Sequence, residues 1–190
     1  MDLFEALANR RSCRKFSPEP VTEEALAKIL EAATLAPSPA NNQPWEFIVI
    51  RDAGIRDRIA GASDACKVKL LEKSGWKWLE KYSLTFLKEA PLLIAVVGNP
   101  GKSGADMFLE EGAGLGYQQA CAAAIQNMLL AACGLDLGTL WFTLFEKRDL
   151  RAILGIDEKK DPVALVCLGN PAGTLAKTPR KKASEITTYL

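Results

Sequence analysis

The stretch AGLGYQQACAAAIQNMLLAAC, residues 113–133, is dense in alanine and apolar on nearly every face. A helix with one apolar stripe lies on a surface, whereas one that is apolar all round must be covered on all sides. These residues therefore predict a closely packed central helix, with Gly134 placed as its C-terminal stop. A chain of 190 residues is too small to surround such a helix completely, which points to burial against a second copy.

Downstream, residues 139–144 and 163–168 read as strands on either side of a helix that carries Leu150, Ile153 and Leu154. Upstream, residues 92–97 form the continuous apolar run of a buried strand, ended by Gly98-Asn99-Pro100-Gly101. Val68, Leu71, Leu79, Tyr82 and Phe86 recur at helical spacing over residues 64–88, with Gly75 set against one continuous helix. A strand over residues 45–50 follows a loop too rich in proline to be helix or central strand. Two helices open the chain, one capped by Asp2 and one capped by Thr22, the second presenting Leu26, Ile29, Leu30 and Ala33 on one face. The order of elements is that of an α+β protein, a mixed sheet flanked by helices, in a single domain over residues 1–190.

Composition narrows the chemistry. Lys and Arg exceed Asp and Glu by one, so no broad field favours nucleic acid or an anionic membrane, and any anion site is local. Cys13, Cys66, Cys121, Cys133 and Cys167 are odd in number, scattered and never in a C-x-x-C pair, which argues against a disulfide framework or a metal cluster. Histidine is absent, which removes His-based triads, His-ligated metals and His acid–base catalysis. The acidic start and the lack of an apolar run of about 18 residues lead us to expect a protein of the reducing cytoplasm, without a membrane span.

Two segments stand out as candidate sites. Arg10-Arg11-Ser12-Cys13-Arg14-Lys15 sets four cations and a hydroxyl within six residues, either a clamp for a phosphate or a solvated helix end. Pro37-Ser38-Pro39-Ala40-Asn41-Asn42-Gln43-Pro44-Trp45 holds donors and acceptors on a stiff frame, either for the polar edges of a planar heterocycle or as a plain connection, with Trp45 in the core. Trp76, Trp78 and Tyr82 either pack or line a lid over a ligand, with packing the more usual use of such spacing. Gly98 to Ser103 ends like a phosphate-binding loop, but Val96 stands where the first glycine is required. Gly112-Ala113-Gly114-Leu115-Gly116 lacks the strand and the downstream acid of a dinucleotide fingerprint.

Taken in order, Arg10 to Phe16 followed by Pro37-Ser38, Asn41 and Gln43-Pro44-Trp45 resembles the N-terminal signature of the flavin-dependent nitroreductase family. Gly134 to Trp141 is similar to that family's stretch after the central helix, and Thr178-Pro179-Arg180-Lys181 to its C-terminal basic motif. The resemblance implies an intertwined homodimer holding FMN between its subunits, reduced by NAD(P)H and reoxidised by a nitroaromatic, quinone or related small acceptor. It implies that Arg10, Ser12, Arg14 and Arg180 hold the phosphate and pyrimidine edge of the flavin, with Arg11 and Gln43 also among the flavin-binding residues. Pro37, Ser38, Pro39 and Asn41 then belong to the flavin site from the other subunit, and Thr143 and Leu144 bring backbone donors near the flavin N5. No protein side chain is expected to be catalytic, because the flavin carries the chemistry.

Departures from the family pattern keep other readings open. Residues 51–88 contain no asparagine, although many relatives hold the flavin ring with one there. Phe142-Thr143-Leu144 is bulkier than is usual in the family. A flavin-binding carrier or sensor without NAD(P)H turnover is one alternative, and an enzyme that acts on its own flavin or on a specific metabolite is another.

Overall fold

The computed structural model describes residues 1–190. Its elements run α1 (Leu3–Asn9), α2 (Glu23–Thr34), β1 (Trp45–Ile50), α3 (Ala53–Ser74), α4 (Phe86–Glu89), β2 (Leu92–Gly98), α5 (Gly116–Gly134), β3 (Gly138–Phe142), α6 (Lys147–Leu154) and β4 (Asp161–Gly169). The strands form one sheet in the order β1-β2-β4-β3. The α+β class with helices around a sheet is as expected. The sheet is not mixed, however, because all of its ladders are antiparallel, and the one parallel contact is an isolated bridge between Ser12 and Thr139.

Period-two alternation sorts the strand side chains onto two cores. Leu92, Ile94 and Val96 of β2 join Ala164, Val166 and Leu168 of β4 under α2 and α5. The alternate residues Leu93, Ala95, Leu165 and Cys167 face Ile59 of α3, Phe86 of α4 and Leu150 of α6. Every residue of β2 is buried, which is why that strand reads as an unbroken apolar run.

The helix ends obey local chemistry. Asp2 and Glu5 form a reciprocal capping box on α1, and Thr22 accepts from the Ala25 N–H at the start of α2. The helical span expected over residues 64–88 is corrected. Asp52 caps α3 eleven residues or so earlier in the chain than the spacing suggests, and Gly75, with φ +66°, ends it. The apolar period there was misleading because the buried face is Ile59, Ala60 and Ser63, while Val68 is exposed. α5 ends at Gly134, as expected, but that glycine does not take the left-handed turn. It stays helical, Leu135 caps the helix, and Asp136 takes the left-handed turn at φ +58°. The Leu137 N–H then closes that turn on the Ala132 carbonyl at 2.9 Å.

Candidate functional site

The basic segment is an extended strip pinned to the sheet. After α1 ends, the Cys13 N–H donates to the Thr139 carbonyl at 2.8 Å, and Phe16 bridges Pro171 beyond β4. Cys13 and Phe16 are buried in the core, so Ser12, Arg14 and Lys15 are left facing outward. Gly138 permits this approach, because a Cβ there would lie 2.8 Å from Cys13 Sγ. Burial pushes the Cys13 thiol up, and it donates to the Lys15 carbonyl at 3.0 Å, an anchor rather than a nucleophile. Arg10, Arg11, Arg14 and Lys15 take part in no ion pair with any carboxylate of the chain. Arg11 Nη1 donates to the Arg10 carbonyl at 2.7 Å, while its Nε is buried with no partner. Unpaired cations pinned on one strip suit an anionic ligand.

Arg14 joins two clefts. One, of about 190 Å³, lies between Ser12, Arg14 and Lys15 and the turn at residues 172–176. The other, of about 500 Å³, sets Arg14 beside Thr143 and Leu144 at the end of β3, with Leu70, Trp76, Trp78 and Tyr82 opposite. Trp76 and Trp78 stack with ring centroids 6.2 Å apart, and Tyr82 meets Trp78 edge-on at 5.5 Å. Both tryptophans stay more than half exposed, at 52% and 56%, so they wall a cleft rather than fill the core, against the usual expectation for such spacing. Thr143 and Leu144 lie past the last paired residue of β3, and neither N–H donates a hydrogen bond within the protein. Phe142 is buried against Phe86 and Phe145, so the core absorbs its bulk.

The chain leaving this cleft is held firmly. Lys147 Nζ of α6 meets Asp161 Oδ2 at 2.7 Å, and Tyr117 and Gln118 of α5 donate to the same oxygen at 2.8 and 3.3 Å. Burial, and then the bond to the Asp161 carboxylate, pushes the Tyr117 hydroxyl up to about 12, so it remains a donor.

The proline loop occupies a third place. Pro37, Ser38 and Pro39 line a cleft of about 240 Å³ against Gly116, Gln119, Ala120 and Ala123 of α5. Ala40, Asn41 and Gln43 all have positive φ, an uncommon cluster outside glycine, and the Gln43 N–H donates to Ser38 Oγ at 3.0 Å. Gly116 and Gly104 are required beneath it: a Cβ on the first would lie 2.2 Å from the Ser103 carbonyl oxygen, and on the second 2.6 Å from Pro39 Cβ. Asn41 and Gln43 are exposed at the loop's tip.

Of the residues singled out from sequence, Ser12, Arg14, Thr143 and Leu144 thus meet in clefts joined at Arg14, with Arg10 and Arg11 on the same strip. Pro37, Ser38, Pro39, Asn41 and Gln43 form a separate group within this chain, and none of them lines the Arg14 clefts. Arg180 lies in an exposed tail, where its Nη1 donates to Thr178 Oγ1 at 2.7 Å. Sequence reasoning passed over Leu70 and the turn at residues 172–176. The turn carries no charged residue, and its one signal was Asn170-Pro171 directly after an apolar strand.

No group of three or more His, Cys, Asp or Glu side chains converges to hold a metal ion, and no helix is long and apolar enough to cross a membrane. A candidate NADH dehydrogenase/NAD(P)H nitroreductase of Methanothermobacter thermautotrophicus is 33% identical over 176 residues, covering 90% of this chain and 78% of the relative. A 5,6-dimethylbenzimidazole synthase of Rhodospirillum rubrum is 30% identical over 172 residues, covering 85% of this chain and 78% of the relative. Among solved structures, a protein of Desulfovibrio desulfuricans in complex with FMN superposes with a TM-score of 0.74 at 28% identity, covering 100% of this chain and 97% of its own. The model of the nitroreductase family matches residues 7–170, and the chain belongs to that family.

Proposed function

We propose that the protein is an FMN-dependent oxidoreductase that passes electrons from NAD(P)H to a small acceptor such as a quinone or nitroaromatic. The observation that carries this reading is the meeting, in one cleft, of the ion-pair-free Arg14 with the undonated amides of Thr143 and Leu144. Bound flavin would accept hydride from the nicotinamide and return the electrons to the acceptor at the same face, giving ping-pong kinetics. In this reading Arg10, Arg11, Ser12, Arg14 and Arg180 hold the phosphate and the pyrimidine edge. The chain's cations stabilise negative charge that develops there, and the two amides stand by N5.

The reading includes a homodimer in which Pro37, Ser38, Pro39, Asn41 and Gln43 serve the partner's flavin. Its support is the separation of that loop from Arg14 and an apolar surface without cover: Leu3, Phe4 and Leu7 of α1 and Leu35 after α2 are all 49% exposed or more. Sedimentation of the flavin-loaded protein should give about twice the 20.6 kDa chain mass. A stable flavin-loaded monomer would contradict the shared site. All five cysteines are free, which suits the reducing cytoplasm proposed as its location.

The deciding experiment is anaerobic stopped-flow mixing with NADH and NADPH, followed by a quinone. The purified protein should be yellow, release FMN, bleach with at least one nucleotide and regain its colour with the quinone. If both nucleotides leave the flavin oxidised while dithionite bleaches it, the carrier or sensor reading replaces this one. The similarity to a 5,6-dimethylbenzimidazole synthase supports a further reading, an enzyme that acts on its own flavin. A flavin that is consumed instead of reoxidised would select it.

A further inference from the structure

A second large cleft adjoins the aromatic one, and of its residues only Arg14 enters the reading above. It encloses about 530 Å³ between the basic strip and residues 81–89, and it shares Arg14 and Tyr82 with the aromatic cleft and Arg14, Lys15 and Ala172 with the cleft at residues 172–176. Arg14, Lys15 and Lys81 line it with the hydroxyls of Ser83 and Thr85, and Glu89 is its one carboxylate. None of the three cations is in an ion pair, although Lys67 and Lys88 on neighbouring elements pair with Asp64 and Asp57 at 3.1 and 3.3 Å. The hydroxyls are ordered: Ser83 Oγ donates to Thr85 Oγ1 at 3.2 Å and accepts from the Thr85 N–H at 3.3 Å. The turn that presents them is tied down where Lys67 Nζ donates to the Tyr82 carbonyl at 3.2 Å.

A ligand that spans both clefts has a planar ring beside Thr143 and Leu144 and anionic groups beyond Tyr82. The flavin's own phosphate and pyrimidine edge are assigned in the proposed reading to Arg10, Arg11, Ser12, Arg14 and Arg180, of which only Arg14 lines the second cleft. We propose that the Lys15–Lys81 cleft holds the phosphate groups of the reducing dinucleotide, the 2′-phosphate included, so that NADPH is preferred over NADH. This rests on the oxidoreductase reading for the identity of the ligand. The charge argument is local: beyond the Arg14 that the flavin uses, Lys15 and Lys81 face one carboxylate, and a 2′-phosphate adds close to two negative charges for them to meet.

The test compares Lys81→Glu and Lys15→Glu with the unaltered FMN-loaded protein, and with Lys88→Glu as a control whose cation lies outside the cleft. Anaerobic reduction titrations give the Kd of each nucleotide. Calorimetry with adenosine 2′,5′-bisphosphate reads the anion site without any turnover. Reversal of Lys81 should weaken NADPH and adenosine 2′,5′-bisphosphate by about tenfold or more, NADH by less, and leave flavin content and dithionite reduction unchanged. Affinity for the bisphosphate in the unaltered protein should fall as salt is raised. If NADPH affinity is unchanged in both variants, if NADH and NADPH weaken equally, or if FMN is lost instead, the assignment is wrong. If the unaltered protein is reduced by neither nucleotide, it is the oxidoreductase reading that fails, and bisphosphate binding still reports on the cleft.

Discussion

Leu144→Pro is expected to slow reduction of the flavin by its nicotinamide donor by about 100- to 1,000-fold, the usual cost of deleting one preorganised donor at a site of developing charge. Proline removes a backbone N–H that donates to no protein acceptor and lies beyond the β3 ladder, together with a side chain that packs on the second core. The preceding Thr143 is pushed toward extended backbone, so flavin content has to be measured beside the rate. Thr143→Ser keeps both amides and should stay within about twofold of the unaltered rate. Single-turnover mixing under anaerobic conditions reads both variants directly. Equal rates in the two, with full flavin occupancy, would remove the Leu144 amide from the mechanism.

Arg14→Ala should weaken FMN binding by about 1.5–3 kcal/mol, or roughly 10- to 150-fold, if the guanidinium makes a charge-assisted hydrogen bond to the cofactor. The size of the effect follows from how Arg14 is held. Cys13 and Phe16 on either side are buried, so the backbone that carries it is ordered before any ligand arrives and little entropy is lost on binding. Arg180 contrasts with it. Its tail is exposed and must be ordered by the ligand, so Arg180→Ala should give the smaller loss. Titration of the apoprotein with FMN, followed by flavin fluorescence, measures both. Unchanged affinity in Arg14→Ala would make the strip a solvated charged surface.

Much of the fold was legible because local chemistry agrees with the tertiary outcome. Asp2 and Thr22 mark helix starts by their side-chain oxygens, and β1 has the bounds that the proline loop before it dictates. The run of β2 is apolar because the sheet is covered on both faces. What was not legible depends on distant partners. The directions of the strands are set by how the intervening helices return the chain, which apolar runs do not encode. The left-handed turn after α5 falls on Asp136 because it is closed by Leu137 reaching back to Ala132, a contact that no residue preference announces. Of the candidate site, the residues with distinctive chemistry were found from sequence, while Leu70 and the turn at residues 172–176 were not, because they contribute shape and backbone. Phe142 lines the aromatic cleft, yet its ring is buried in the core beside Phe86.

The strip from Ser12 to Phe16 also bears on how copies of this protein behave in a crowded solution. β3 is an edge strand, and an unprotected edge invites pairing with any other extended chain, which is a route to insoluble assemblies. Here the Thr139 carbonyl on that edge is already taken by the Cys13 N–H. At the opposite edge, β1 carries Glu46 held by Lys160 at 2.6 Å, a charge that discourages a further strand. The segment that presents the cations is thus also the guard of the sheet, and any change that detaches it trades a lost ligand site for a sticky margin.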